Sequence, residues 1–418
     1  MPAPTESGEL VAHLFRHEAG KMTSVLACTL GFDRLDLAED IVHDAMVQAL
    51  QSWPFQGIPD NPRAWLYRVA KNRALDIIRR EIRFREISSS VDYLRQQDTN
   101  DDMAQPLFFD EAITDSQLRM LFAICHPAIS PESQTAMCLK ILCGLSVREI
   151  ANAFLTSDDT IAKRIYRARE KIKQEGIQLN VPTGTHLTFR LDSVLKSIYL
   201  LFNEGYNSSH PDTIIRQDLC QEAMRLTLLL TETPHTHTPV VDALMALMCF
   251  QSARFDARSN ANGAIILLAD QNRSHWNQLL IRKGHTYLNR SAEGETLSEY
   301  HLEAGIAMLH CSAPSYASTN WPVILHYYDL LMTHKPSPIV ALNRAVAVAE
   351  VSGPSVAITV VKSLGGLEKN HYFHTVLGDL YERNAQPIQA QHHYQQALQL
   401  TVSIPEKELL TRKLTRLT

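Results

Sequence analysis

The stretch Gly144-GLSVREIANAFLTSDDTIAKRIYRAREKIK-Lys173 decides how this chain is read. Ser146 and Glu149, three residues apart, have the spacing of a reciprocal helix-start cap. Val147, Ile150, Ala151 and Phe154 follow on one apolar face. Leu155 and Thr156 make a tight turn, Ser157 can cap a second helix, and Asp158 and Asp159 suit the positive end of its dipole. Ile161, Ile165, Ala168 and Ile172 recur at helical spacing as a buried stripe. Thr160, Lys163, Arg164, Tyr166, Arg167, Arg169 and Lys171 fall outside it. Two helices across a tight turn, the second basic outside its stripe, match a major-groove reader. Arg can fork onto guanine edges or phosphate, and Lys gives phosphate a point charge. The competing reading is a solvated amphipathic helix.

Working outward, the 3.6-residue period continues through nearly the whole chain. No alternating β-branched runs with Asn-Gly or Asp-Gly turns interrupt it, so the expected class is all-α. The 418 residues, 45% of them hydrophobic, allow two or three domains with their own cores. Net charge is −5, so any nucleic-acid binding must come from local clusters rather than from a basic coat. Seven scattered cysteines, Cys28, Cys125, Cys138, Cys143, Cys220, Cys249 and Cys311, point to reduced thiols in a cytoplasmic protein. The start MPAPTESGELVAHLF lacks the pattern of a signal peptide, and no apolar run reaches membrane length, so no membrane partner is expected.

Composition divides the chain into four. Residues 8–86 form helices broken once by the Pro/Gly-rich loop WPFQGIPDNPRAW, Trp53 to Trp65. Residues 87–111 are a polar, acidic linker with Asp98, Asp101 and Asp102. Residues 112–178 hold the helix-turn-helix, and NVPTGTH precedes a helical region over 187–418. In that last region Leu377, Gly378, Tyr381, Ala390, Tyr394 and Ala397 keep the spacings of a tetratricopeptide unit, and LNRAVAVAEVSGPSVAITVVKSL has a similar rhythm upstream. Ordinary helical hairpins are the alternative.

A second basic cluster lies in RAWLYRVAKNRALDIIRREIRFRE, Arg63 to Glu86. Its basic residues, Arg68, Lys71, Arg73, Arg79 and Arg80 among them, interleave with Trp65 and Tyr67, a mixture suited to DNA that is opened as well as held. Trp65 can equally be core. Upstream, LDLAEDIVHDAMVQALQSW presents Asp36, Glu39, Asp40 and Asp44 outward, with Ala38, Ile41, Val42, Ala45 and Leu50 on its apolar side. An acidic face of this kind docks a protein or is merely solvated.

On these residues the sequence resembles a bacterial RNA polymerase sigma factor of the extracytoplasmic-function (ECF) class. AEDIVHDAMVQAL resembles the region 2 helix that binds the polymerase clamp. FQGIPDNPRAWLYRVAKNRALDIIRR resembles the segment that melts and reads the −10 element. SPESQTAMCLKILCGLSVREIANAFLTSDDTIAKRIYRAREKI resembles region 4, which reads −35. LRMLFAICHPAISPE, FRLDSVLKSIYLLFNEGYNSS, ADQNRSHWNQLLI and PSPIVALNRAVAVAEVSGP resemble the subgroup with a long C-terminal tetratricopeptide-like extension. Leu155 stands where most sigma factors have a glycine.

The resemblance implies core RNA polymerase, through its clamp and flap, and promoter DNA as partners. Asp36, Glu39, Asp40 and Asp44 would meet the polymerase. Trp65, Arg68, Lys71, Asn72, Arg73, Arg79 and Arg80 would lie on the −10 strand, with the loop from Phe55 to Arg63 receiving a flipped base. Thr160, Lys163, Arg164, Tyr166, Arg167 and Arg169 would meet the −35 groove. The extension would be a regulatory domain with a protein or peptide partner, inhibiting in cis or bracing the holoenzyme.

The alternatives are a helix-turn-helix regulator that does not join core polymerase, and a helical scaffold with solvated basic faces. In NEGYNSSHPD, Asn203, Glu204, Tyr206 and His210 read as a polar cleft or as a capped helix end. His235 and His237 lack a second ligand pair at zinc spacing, and Cys138 and Cys143 read as core. No phosphate-cradling glycine loop or G-x-S-x-G elbow occurs. The expectation is a non-enzyme with no cofactor and no metal.

Overall fold

The computed structural model describes residues 4–88, 110–154, 156–208, 211, 214–260 and 263–417. These are α-helices α1 to α19 with short helical turns and no strand, only an isolated bridge between Ser259 and Ile265. The expected all-α class is the observed one. The linker aspartates Asp98, Asp101 and Asp102, with Leu155 and His210, lie outside the described residues. Two compact units are present: residues 1–152 with 156–197, and residues 198–418 with 153–155.

In the first unit α1 (Pro4–Leu30), α2 (Leu35–Gln56) and α3 (Pro62–Ser88) pack together. The core side of α2 keeps helical register through Ala38, Ile41, Val42, Ala45, Ala49 and Trp53. Leu50, expected on that side, is 46% exposed, because it lies one residue and ~100° beyond Ala49. The expected loop is also shorter than its composition suggests. Trp53 to Gln56 stay helical with Pro54 in the last turn, and Pro62 starts α3 at a position where its missing N–H costs nothing. Glu18 of α1 ties α3 down: the Tyr67 hydroxyl donates to it at 2.5 Å and Arg63 Nε approaches at 3.1 Å.

α4 (Asp110–Ile124), α5 (Pro131–Met137), α6 (Val147–Ala153) and α7 (Asp158–Glu175) follow. Beyond α5 the chain widens into one π-helical turn, Cys138–Leu142. Gly20 of α1 meets this turn backbone to backbone: a Cβ on Gly20 would lie 2.4 Å from the Leu142 carbonyl oxygen and 2.7 Å from that of Ile141. Only glycine permits that approach. Cys125 and Cys138 hold their sulfurs 3.8 Å apart in this core, and all seven cysteines are free thiols.

In the second unit α10 (Pro239–Ser252) is buried on almost every side, which is why VVDALMALMCF is apolar around its whole circumference. α9 (Gln217–Glu232), α12 (Gln278–Ser291) and α13 (Glu299–Ser312) surround it. Between these lie the single-turn α11 (Phe255–Arg258) and, further on, α14 (Trp321–His334). α15 (Pro338–Ser352) with α16 (Pro354–Lys362), and α17 (His371–Arg383) with α18 (Pro387–Leu400), form helical hairpins that share one core with α19 (Ile404–Leu417). Leu377, Gly378, Tyr381, Ala390, Tyr394 and Ala397 are all buried there. A Cβ on Gly378 would fall 2.5 Å from the Tyr394 ring. The Tyr394 hydroxyl donates to Asp379 at 2.5 Å and Glu382 at 2.6 Å, and Lys413 meets Asp379 at 2.6 Å. α8 (Thr185–Tyr206) ends where Arg258 donates to the Tyr206 carbonyl at 2.5 Å and to Asn207 Oδ1 at 2.7 Å. The NEGYN segment is therefore a helix end capped by an arginine.

Candidate nucleic-acid interface

The helices α6 and α7 form as their capping residues dictate. Ser146 N–H donates to Glu149 Oε2 at 2.8 Å and Glu149 N–H to Ser146 Oγ at 3.2 Å, closing the reciprocal cap of α6. Ser157 Oγ accepts from Thr160 N–H at 3.2 Å at the start of α7. Ile161, Ile165, Ala168 and Ile172 are the buried residues of α7. Gly176, at φ 60°, caps its C-terminus in the left-handed conformation.

At ~100° per residue, Lys163 lies opposite that stripe, with Tyr166 on one side of it and Arg167 and then Thr160 on the other, while Arg164 flanks the stripe. Lys163 and Arg167 are exposed and Tyr166 is 65% exposed. Lys163 pairs with Asp159 one turn back at 2.6 Å; both are exposed, so the pair is weak and easily exchanged for phosphate. Arg169 points elsewhere. It lies nine residues, ~180°, from Thr160 and forms charge-assisted hydrogen bonds to Asp36 and Glu39 of α2.

α3 carries eight basic against three acidic residues. Arg68, Asn72, Arg73, Arg79 and Arg80 are exposed and Lys71 is half-buried, while Leu66, Tyr67, Ala70 and Ala74 face the core. Burial, and then the Glu18 carboxylate, push the Tyr67 hydroxyl above the ordinary tyrosine range, so it stays a neutral donor. The Trp65 ring packs edge-on to buried Trp53 at 5.5 Å and keeps part of its surface exposed. Arg73 reaches Asp44 at 2.8 Å, and Arg34 grips Glu81 through both guanidinium nitrogens at 3.0 and 2.6 Å. The loop at the α2–α3 corner shrinks to residues 57–61 and is flanked by Phe55, 77% exposed.

The acidic face of α2 is in place. Asp36, Asp40 and Asp44 are exposed. Glu39 is partly covered, with burial raising its carboxyl above the usual range against the pull of Arg169 and Lys140. A cleft of about 470 Å³ lies beside it, lined among others by Asp40, His43, Lys140 and Arg169. The residues expected to act thus form three surfaces: an acidic face on α2, a basic face on α3 and a basic face on α7.

Residues 21–84, which hold the first two surfaces, match sigma-70 region 2. Residues 190–292 match a family of unknown function, DUF6596. The uncharacterized protein R00370 of Rhizobium meliloti (strain 1021) is 35% identical over 388 residues, 92% of this chain and 91% of that protein. The chain belongs to that protein's family. This family member opens with sigma-70 region 2, which supports a role in transcription initiation, and continues into a domain of unknown function. Helices α6 and α7 lie between the two matched stretches. No solved structure matches.

Among the described residues no group of three or more His, Cys, Asp or Glu side chains could hold a metal ion, and no helix is long and apolar enough to cross a membrane. His237 is exposed and makes polar contacts with Asp242 Oδ2 at 2.8 Å and Arg290 at 2.6 Å. Sequence reasoning did not find the Arg169 contact or the Gly20 approach. The only signal for either was charge complementarity between α2 and α7 and a small residue in the middle of α1.

Proposed function

We propose that this protein is a sigma factor of the ECF type that joins core RNA polymerase and directs it to promoters. The match of residues 21–84 to sigma-70 region 2 carries the reading. The disposition of charge supports it, since α2 carries an acidic face and α3 a basic one, meeting at the Arg73–Asp44 pair, and the two suit different partners. Asp36, Glu39, Asp40 and Asp44 meet the polymerase clamp. Trp65, Arg68, Lys71, Asn72, Arg73, Arg79 and Arg80 track the −10 strand. An exposed Phe55 beside the 57–61 loop offers a π-face to an extruded base, whose unstacking costs a few kcal/mol. Thr160, Lys163, Arg164, Tyr166 and Arg167 read the −35 groove, and the region 4 block approaches the flap. The protein performs no bond chemistry itself. The second unit, with its tetratricopeptide-like hairpins, is a regulatory module that takes a protein or peptide partner.

Sedimentation with purified core RNA polymerase tests the reading. The full chain is expected to form a stoichiometric complex that Asp40→Lys with Asp44→Lys weakens. No complex at any concentration would overturn it in favour of a DNA-binding regulator that never joins the enzyme.

A further inference from the structure

We infer that the second unit holds a binding groove for a short, free apolar peptide, laid on a methionine-rich floor with its two charged ends read by Asp256 and Lys283. The inference rests on the reading of that unit as a module that takes a peptide partner, and it is independent of whether the chain joins polymerase. The groove lies within the stretch matched to the family of unknown function, between α9 and α12 with α10 beneath, and its volume is about 500 Å³. That is the size of a site for a small ligand. Met245 and Cys249 are buried in its floor, and Met224 and Leu280 are half-buried on its walls. Burial pushes the Cys249 thiol up to about 12, so it packs as an apolar group and brings no nucleophile. Unbranched methionines adapt to apolar side chains of differing shape.

The rim selects among apolar ligands. Gln217 and Gln221, one turn apart on α9, are exposed, and among the described residues their amides make no hydrogen bond. A side-chain amide donates and accepts at once, as a peptide group does, whereas a plain hydrocarbon chain offers it nothing. Lys283 and Asp256 are also exposed, and neither forms an ion pair among the described residues. Arg225, the other cation on the rim, is already bound to Glu222 at 2.9 Å. The rim thus offers one charge of each sign, complementary to the carboxylate and the ammonium of a free peptide. Their spacing sets its length. Asn277 N–H donates to the Ala253 carbonyl at 2.8 Å, so α12 begins beside the end of α10, where Asp256 lies. Lys283 is six residues further on, ~9 Å along the helix axis. An extended chain advances ~3.3–3.6 Å per residue, so three or four residues reach from one charge to the other. A helix does not fit inside: ten residues of it, ~15 Å long and ~10 Å across, displace roughly twice the volume of the groove.

The experiment is calorimetric titration of the full chain with Leu-Leu-Leu, its N-acetylated form and its C-terminal amide. Asp256→Asn and Lys283→Met, both at exposed positions, remove the two charges in turn, and Met224→Trp fills the groove. The free tripeptide should bind the wild-type chain, and acetylation or amidation should each weaken it at least about threefold, as loss of an ion pair on a rim requires. Asp256→Asn should bind the free and acetylated forms equally, Lys283→Met should bind the free and amidated forms equally, and Met224→Trp should bind none while keeping a cooperative melt. No binding to the wild-type chain up to millimolar peptide overturns the inference. So does equal binding of all three forms, which would point to an internal segment of a larger protein, and so does wild-type affinity in both charge variants. Any of these results leaves the sedimentation test of polymerase binding as it stands.

Discussion

Arg169→Ala and the pair Lys163→Ala and Arg167→Ala should separate the two sides of α7. Lys163 lies opposite the buried isoleucines with Arg167 beside it, whereas Arg169 lies ~180° from Thr160 and is held by α2. Each phosphate contact contributes a slope of about −0.9 to log affinity against log salt. Losing one flattens the fall in affinity between about 50 and 200 mM salt by ~3.5-fold, and losing two by ~12-fold. Lys163 gives up little to reach DNA, because its exposed pair with Asp159 is worth a few tenths of a kcal/mol at most. The assay is anisotropy titration of a labelled random-sequence duplex with the full chain across that salt range. The Lys163/Arg167 double variant should weaken binding and shed nearly two units of slope, while Arg169→Ala keeps the wild-type slope. Equal losses for both would refute the assignment of faces.

Three further outcomes follow from the second unit. Burial raises the Glu303 carboxyl from 4.5 to about 7, so the folded chain keeps a proton that the unfolded chain releases, and stability falls as pH rises from 4.5 through 7. Glu303→Gln, which keeps the Tyr199 contact, should be more stable than wild type by about 2–3 kcal/mol at pH 8 and nearly equal at pH 4.5 by urea denaturation; no pH-dependent gap would contradict this. Burial, then Arg254 and Arg273, lower His310 from 6.5 to about 3; the unfolded chain takes up the proton first, so stability falls as pH drops below 6.5. His310→Phe should flatten that acid limb by up to about 1.4 kcal/mol per pH unit. Gly378→Ala should cost about 1–3 kcal/mol in a thermal melt, because its methyl group meets the Tyr394 ring, and a neutral result would mean that α17 and α18 part easily.

Local chemistry was the legible part of the sequence. The Ser146–Glu149 cap, the Ser157 cap and the Ile161–Ile172 stripe follow from rules that act within one or two turns, and each is present. The six small and aromatic positions from Leu377 to Ala397 are buried for the same reason. Boundaries shifted where composition misleads: Pro54 is tolerated in the last turn of α2, so the helix runs on to Gln56, and Leu50 loses its place in the core to Ala49 and Trp53. The contacts that no period records are long-range. Arg169 and Asp36 are 133 residues apart, and nothing local distinguishes an arginine aimed at DNA from one aimed at a carboxylate. The pairing of Tyr199 with Glu303, across 104 residues, was equally invisible.

The most direct test of the central claim is reconstituted initiation: core polymerase, the full chain and a library of genomic fragments, with transcript 5′ ends read by sequencing. A sigma factor gives starts that share a sequence about ten base pairs upstream, where the duplex is opened and its bases read, and Arg68→Ala with Asn72→Ala abolishes them. Transcripts with no common upstream sequence, or identical with and without the protein, would contradict the account.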